Sequence, residues 1–492
     1  MPYSKKKKAL PASLPAGRAG KAVRVAAAKE SIKIRGLLPG LGLPDGIKDI
    51  LPREQKYWQL IRQRVEQLAN DYGFERIDLP IMEKLPLFEK GLGKQSDILT
   101  KEIIFFSDKD GTNLALRPTA TFSVVRAYLE HRLGNLPKPV KLYYLGPMFR
   151  SGLARSGQQR QFYQFGFEVL GSPQPVIDAQ LILMAFNFYR DLAVPATIQI
   201  NSVGCPVCRP EYHKALNDHY RQKKNLLCPA CKEDFAKNPL KIFNCQQEKC
   251  KELREEAPQI IDHLCEDCKN HFIKLLEYLD ELELPYILNS FLIKETTYGT
   301  KTVFEIWPEE METNPTSPAR LDPPCRPLRS RSEASEAGEQ ARQAGGQLPL
   351  ASGGRYDHLA EALGGDPTPA AGWAAGFERT ILKLKEEAMS WPRQNAPDVF
   401  IAQLGELARR KALVLFENLR EKGVKVAESF SHNGLKLQLE QANKLGVKFT
   451  LVLGQKEVLD NTIMIRDMEG GTQELVDFTK IALEIQKRLK KE

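Results

Sequence analysis

Three arginines stand at positions where chemistry could be done. Arg150 closes the alternating stretch VKLYYLGPMFR, Arg160 opens the stretch RQFYQFGFEVLG, and Arg379 begins the helical stretch ERTILKLKEEA after a run of small residues. A guanidinium holds phosphate through paired N–H donors. A single arginine is usually a surface ion pair, but three at the edges of one sheet point to an anion. Gln164 and Glu168 stand four apart on the second stretch, so on a strand both face the same side. An amide and a carboxylate on one floor suit an ammonium ligand. The segment between the two stretches is small and polar, carries Arg155, and reads as a loop joining paired strands.

A second set of candidates is made of thiols. Eight of the nine cysteines form four pairs, Cys205/Cys208, Cys228/Cys231, Cys245/Cys250 and Cys265/Cys268. Three of the pairs have C-x2-C spacing, which lets two thiolates grip one tetrahedral ion, and eight ligands suit two ions. Structural zinc is the metal this spacing favours, since a closed four-thiolate site leaves no open position for chemistry. A disulfide framework and unpaired thiols in a helical insertion are the alternatives. The absence of an apolar leader argues against the disulfides. Cys325 stands alone in a low-complexity stretch.

Elements must position these groups. The helical spacing of Tyr57, Leu60, Ile61, Val65 and Leu68 predicts a helix opened by Pro52 and Glu54. FERIDLPIMEK alternates as a strand interrupted by Pro80, and EIIFFSDKDGTNLALRP reads as a hairpin turning at Asp110-Gly111. TATFSVVRAYLEHRL and PVIDAQLILMAFNFYRDL read as helices. Residues 204–270 form a cysteine-bearing helical insertion. Strands resume in PYILNSFLI and KTVFEIW. Residues 308–349, rich in Pro, Ser, Arg, Glu and Gly, read as a disordered insertion between two core strands. After SWPRQNAP the pattern alternates β and α, predicting a separate α/β domain over 398–492.

At 492 residues the chain is long enough for two or three units. Residues 1–38 hold ten Lys and Arg against one acid, which equals the whole net charge of +9. This Ala/Gly/Pro-rich segment is expected to be disordered. It either draws polyphosphates such as RNA or is a solvated tail. No run of 18 apolar residues occurs, so no membrane span is expected, and the sequence reads as cytoplasmic. No phosphate loop of the Walker type is found, and GGRYDHL lacks the glycine spacing of a dinucleotide fold.

The order of GFERIDLP, LALRPTAT, GPMFR…RQFYQFGFEVLG, KTVFEIW, SGGRYDHL and AAGFERTIL resembles the class II aminoacyl-tRNA synthetases, and closely the histidyl-tRNA synthetases. The resemblance covers about residues 40 to 490. It implies an α+β fold: an antiparallel sheet core flanked by helices over 39–390, followed by an anticodon-binding domain. It further implies ATP and Mg2+ as cofactors, histidine and its tRNA as substrates, and a homodimer resting on the Pro80 strand. Carried over by position, Arg150 would meet the α-phosphate while Arg160 and Arg379 complete the ATP site. Thr119, Thr121, Gln164, Glu168, Tyr298, Arg355 and Tyr356 would surround histidine.

The chain also departs from that family's pattern. Thr119 replaces a carboxylate in the usual LRPEGT, and GLAR replaces ERPQ in the loop after Arg150. In LIKETTYG, Lys294 takes the place of a catalytic arginine and Gly299 that of a tyrosine. Lysine keeps the charge without the planar fork. These changes support an alternative, a non-catalytic relative acting as a regulatory subunit in histidine biosynthesis. The domain at 398–492 argues against it, because such regulators generally lack one.

Overall fold

The computed structural model describes residues 41–93, 96, 98–151, 159–235, 238–245, 247–293, 298–309, 348–387, 397–429 and 434–490. The basic tail, Arg155, Lys294, Cys325 and nearly all of the 308–349 segment lie outside them.

The architecture is α+β. Its largest sheet has eight strands in the order β1-β5-β6-β11-β10-β9-β7-β8. These are β1 (Glu75–Arg76), β5 (Val140–Phe149), β6 (Gln161–Leu170), β11 (Ala370–Gly376), β10 (Ala351–Arg355), β9 (Thr300–Pro308), β7 (Ala196–Gly204) and β8 (Tyr286–Leu288). The pairs from β5 through β7 are antiparallel, and the outer strands β1 and β8 are parallel to their neighbours.

One face of this sheet is bulky. Phe165, Phe167 and Trp373 are buried there with Phe188 of helix α4 (Pro175–Asp191) and with Phe377. Helix α1 (Gln55–Tyr72) adds Trp58, which stacks on Phe377 with ring centroids 5.0 Å apart. The opposite face is nearly bare. Period-two alternation puts Gly372, Ala374 and Gly376 of β11, with Ser352 and Gly354 of β10, on the side away from Trp373. A sheet face carpeted with small side chains leaves a hollow above it.

Strands β2 (Met82–Lys84), β4 (Asn113–Leu116) and β3 (Ile104–Ser107) form a separate three-stranded sheet, with β3 and β4 joined as the expected hairpin. Arg117 anchors it. Its guanidinium is buried and donates to the carbonyls of Leu79, Pro80 and Pro147 at 2.9–3.2 Å. A Cβ on Gly146 would stand 2.4 Å from Arg117 Nη2, so the glycine makes room for this arginine.

Two readings of the sequence are corrected. PYILNSFLI is a strand only over Tyr286–Leu288. Asn289 ends it, because its Nδ2 donates to Gln199 Oε1 at 2.6 Å and its Oδ1 accepts from the Phe291 N–H at 3.0 Å. The expected strand thus stops short of Lys294, which lies outside the described residues. The helical insertion also runs past residue 270. It comprises α5 (Arg209–Gln222), α6 (Pro229–Phe235), α7 (Glu248–Glu255) and α8 (Glu266–Glu281) with short 3-10 turns between, and α8 leads back into β8.

Residues 399–490 hold a five-stranded sheet in the order β13-β12-β14-β15-β16, with helices between strands. β12 (Val399–Gln403) pairs in parallel with β13 (Val426–Glu428) and β14 (Phe449–Leu453). β15 (Thr462–Asp467) and β16 (Gln473–Asp477) complete it antiparallel. It has its own core, built around Ile401, Leu415, Leu451 and Ile485. No described helix is long and apolar enough to cross a membrane.

Candidate active site

Above the bare sheet face lie two adjoining cavities. Both are lined by Arg150, Gln164, Ser352 and Ala374. The first is completed by Glu102, Phe162, Glu378 and Arg379, and the second by Thr119, Thr121, Glu168, Tyr298 and Tyr356.

The register of β6 explains the second cavity. Glu168 lies opposite Gly372, and a Cβ there would stand 1.7 Å from Glu168 Oε2. Glycine is required by that approach, and the carboxyl fills the space. Glu168 is 1% exposed. Thr121 Oγ1 donates to its Oε1 at 2.7 Å, and the Tyr356 hydroxyl donates to its Oε2. Gln164, two strand repeats away on the same face, accepts from Thr119 Oγ1 at 3.5 Å and from the Tyr144 hydroxyl at 3.4 Å. Tyr298 stands edge-on to Phe122 at 5.1 Å and to Tyr356 at 6.5 Å. Burial pushes its hydroxyl up to about 12, so it stays protonated at neutral pH. The result is a small chamber with a carboxyl floor and aromatic walls.

The first cavity is cationic. Arg150 follows the last residue of β5. Its guanidinium lies over the Phe162 ring at 5.3 Å, donates to the Pro118 carbonyl at 3.2 Å and stands 3.6 Å from Glu102. Arg379, in the first turn of the helix Phe377–Glu386, donates to the Pro349 carbonyl at 2.9 Å. Burial lowers the pKa of both, and the charge of Arg150 lowers that of Arg379 further. Two guanidinium groups that repel across a hollow make a site for an anion. Glu378 accepts the Tyr163 N–H in both carboxyl oxygens, at 2.9 and 3.2 Å, and burial raises its pKa to about 7.

Of the residues expected at the site, Arg150, Arg379, Thr119, Thr121, Gln164, Glu168, Tyr298 and Tyr356 border the two cavities. Arg355 borders the second, but its guanidinium is fully buried and turned away. It donates to Asp178 at 2.5 Å, to Asp357 at 3.1 Å and to the Ser172 carbonyl at 2.5 Å. It is a structural ion pair rather than a ligand contact. Arg160 lines neither cavity. Its N–H donates to the Gly46 carbonyl at 2.7 Å, and its side chain covers that glycine. Tyr144, Glu102 and Glu378 went unread in the sequence. The signal for Glu378 was its place beside Arg379 at the start of a helix. Tyr144 and Glu102 carry none that separates them from neighbours.

The thiols gather as two clusters among the described residues, Cys205/Cys208/Cys265/Cys268 and Cys228/Cys231/Cys245/Cys250, with the four sulfurs of each within 4.8 Å of one another. None is disulfide-bonded. In the first, Cys205 Sγ lies 3.6 Å from Cys208 Sγ and 3.8 Å from Cys265 Sγ. In the second, Cys228 and Cys245 are 3.8 Å apart. A tetrahedron of sulfurs about 2.3 Å from a zinc ion has edges of about 3.8 Å. A disulfide would need about 2.05 Å.

A family model described as Histidyl-tRNA synthetase matches residues 46–221, and one described as Anticodon binding domain matches 398–488. The chain is 37% identical over 447 residues to a histidine–tRNA ligase of Dehalococcoides mccartyi, covering 91% of this chain and 99% of that protein. It is similar to the crystal structure of apo histidyl-tRNA synthetase of S. aureus, with a TM-score of 0.70 and 30% identity over 90% of this chain and 99% of that one. A structure from Bacillus halodurans, described as an ATP phosphoribosyltransferase regulatory subunit/histidyl-tRNA synthetase, is similar at TM-score 0.55 but only 18% identical, a likeness of fold.

Proposed function

The chain belongs to the histidyl-tRNA synthetase family, and on that premise we propose how its two cavities divide the substrates. The reaction is the ATP-dependent ligation of histidine to its tRNA by a class II enzyme. We assign ATP to the cavity of Arg150 and Arg379, and histidine to the cavity of Glu168. The observation that carries this is the buried Glu168 carboxyl, held by Thr121 and Tyr356 at the floor of a chamber that opens beside two guanidinium groups.

In this reading Glu168 and Gln164 take the histidine ammonium group, with Thr119 and Thr121 orienting them. Tyr298 and Tyr356 flank the imidazole. The histidine carboxylate then faces Arg150, which borders both cavities. One carboxylate oxygen attacks the α-phosphorus, the bond to the β-phosphate oxygen breaks, and pyrophosphate leaves with that electron pair. The terminal hydroxyl of the tRNA next attacks the histidyl carbonyl, and AMP leaves. Arg150 meets the α-phosphate and Arg379 the other end of the nucleotide. Lys294, outside the described residues, stands in the chain where the family pattern has an arginine, and in this reading supplies one point charge in place of a planar fork. Holding the reactants in place and matching developing charge supply most of the rate. Magnesium bound with ATP would neutralise phosphate charge, and Glu102 and Glu378, the carboxylates lining that cavity, would hold it.

Residues 398–492 bind the anticodon arm, supported by the family match over 398–488. The homodimer rests on the three-stranded sheet, where Met82 of β2 and Phe106 of β3 share one face by register, are 51% and 42% exposed, and offer it to a second copy. Each thiol cluster holds a structural zinc ion. The regulatory-subunit reading has less support, because the neighbour that suggests it shares only the fold. A cytoplasmic location goes with the ligase reading. Charging of histidine tRNA by the purified protein is the test: charging with histidine alone among amino acids supports the assignment, and none in a folded protein overturns it.

A further inference from the structure

The two thiol clusters are not equivalent in the fold. Cys228, Cys231, Cys245 and Cys250 all come from the α5–α7 region, within the insertion. Cys205 and Cys208 come from the turn between β7 and α5, and Cys265 and Cys268 from the start of α8. An ion in this first cluster joins the two roots of the insertion where they leave the central sheet. The turn itself is built for close approach: Gly204 has φ +61, and a Cβ there would stand 3.0 Å from that of Cys208.

Arg209, the first residue of α5, follows Cys208 directly. Its Nε donates to the Val203 carbonyl at 3.2 Å and its Nη2 donates to the Gly299 carbonyl. Val203, Tyr298 and Gly299 all line the cavity assigned to histidine. A zinc ion with four thiolates carries a net charge of −2, half of which a neighbouring guanidinium offsets. On α8, His271 Nε2 lies 2.7 Å from Asp178 Oδ2, and the other oxygen of Asp178 accepts from Arg355. The first cluster is thus tied to the cavity wall on two sides, through Arg209 and through His271. From the second cluster, among the described residues, helix α7 instead reaches Phe291 through Arg254, 4.6 Å from the ring centroid, and Phe291 lines neither cavity.

We propose that the Cys205/Cys208/Cys265/Cys268 site binds zinc as a brace for the amino-acid cavity, and that Arg209 is the positioning residue which carries that brace to the Tyr298–Gly299 wall. The second site holds only the head of the insertion together. The effect on catalysis rests on the histidine assignment above; the effect on the wall does not.

The test combines metal content, hydrogen exchange and kinetics. Wild-type protein should hold about two zinc ions per chain by elemental analysis. Cys205→Ser/Cys265→Ser and Cys228→Ser/Cys245→Ser should each lose one. Arg209→Gln should keep both. Amide exchange across residues 298–304 should quicken in the first double variant and in Arg209→Gln, and stay near wild type in the second double variant. In histidine-dependent pyrophosphate exchange, the same two proteins should raise the KM for histidine about tenfold and the KM for ATP less than twofold. Arg209→Lys should restore part of the loss. Should the first double variant fail to fold, Arg209→Gln and Arg209→Lys still decide the point. Wild-type protein without zinc, whose eight clustered thiols titrate together with Cys325, overturns the metal site. Unchanged exchange at 298–304 in Arg209→Gln, or equal effects from the two double variants, overturns the brace. If the wall responds as expected while histidine supports no pyrophosphate exchange, the brace stands and the histidine assignment falls.

Discussion

Gly372 and Glu168 face each other across β11 and β6, and the absent side chain of one is the space for the carboxyl of the other. Gly372→Ala would press a methyl group into Glu168. The expected result is a loss of about 1–3 kcal/mol of stability, typical of overpacking. A higher KM for histidine should accompany it, with the KM for ATP little changed. Denaturant unfolding and steady-state kinetics on the same protein check both. Glu378 gives a second residue-scale expectation. Burial raises its pKa to about 7 from 4.5, so the folded state binds this proton more tightly than the unfolded one. The stability it contributes is complete below about pH 4.5 and is lost as pH rises through about 7. The full shift is worth at most about 3 kcal/mol, and less beside an open cavity. Glu378→Gln should therefore flatten the fall in stability between pH 5 and 8, as followed by denaturation midpoints. An unchanged pH profile would show that Glu378 is ionised throughout.

At the scale of elements, the strands around Arg150, Gln164 and Glu168 were legible because alternation and the Gly/Ala run of AAGWAAG are local signals. The pairing of the cysteines was legible for the same reason, and the structure gathers them into two four-thiol clusters. Arg355 was misread because its partner Asp178 lies 177 residues away in the chain, and no local pattern tells an arginine that meets a ligand from one neutralised by a buried acid. Arg160 lines neither cavity: its strand-end position gave its neighbours but not the Gly46 segment that its side chain covers. The end of β8 was missed because Asn289 caps it by bonding to Gln199 on a neighbouring strand. The three-stranded sheet carries its own expectation. Phe106 is exposed on β3, an edge strand of that sheet. Phe106→Glu should shift the protein towards monomer in sedimentation at micromolar concentration. A dimer as tight as wild type would place the interface elsewhere.

At the scale of the molecule, the small-residue sheet face, the cysteine-bearing insertion and the C-terminal α/β unit meet different parts of one reaction. In the proposed division, the residues before 388 handle the small molecules, and residues 398–492, which have a core of their own and match an anticodon-binding domain over 398–488, take the anticodon arm. Deleting 398–492 should raise the KM for tRNA far more than the KM for ATP in a core that remains folded. Equal effects on both substrates would contradict separate roles. The central claim is that Arg150 and Arg379 face phosphate beside a histidine chamber floored by Glu168. Pyrophosphate exchange into ATP by purified wild-type, Arg150→Ala and Arg379→Ala proteins tests it most directly. The account predicts exchange that depends on histidine in the wild type and falls by ~10² or more in each variant, with folding unaltered by circular dichroism. Exchange that ignores histidine, or variants that keep near-native rates, would contradict it.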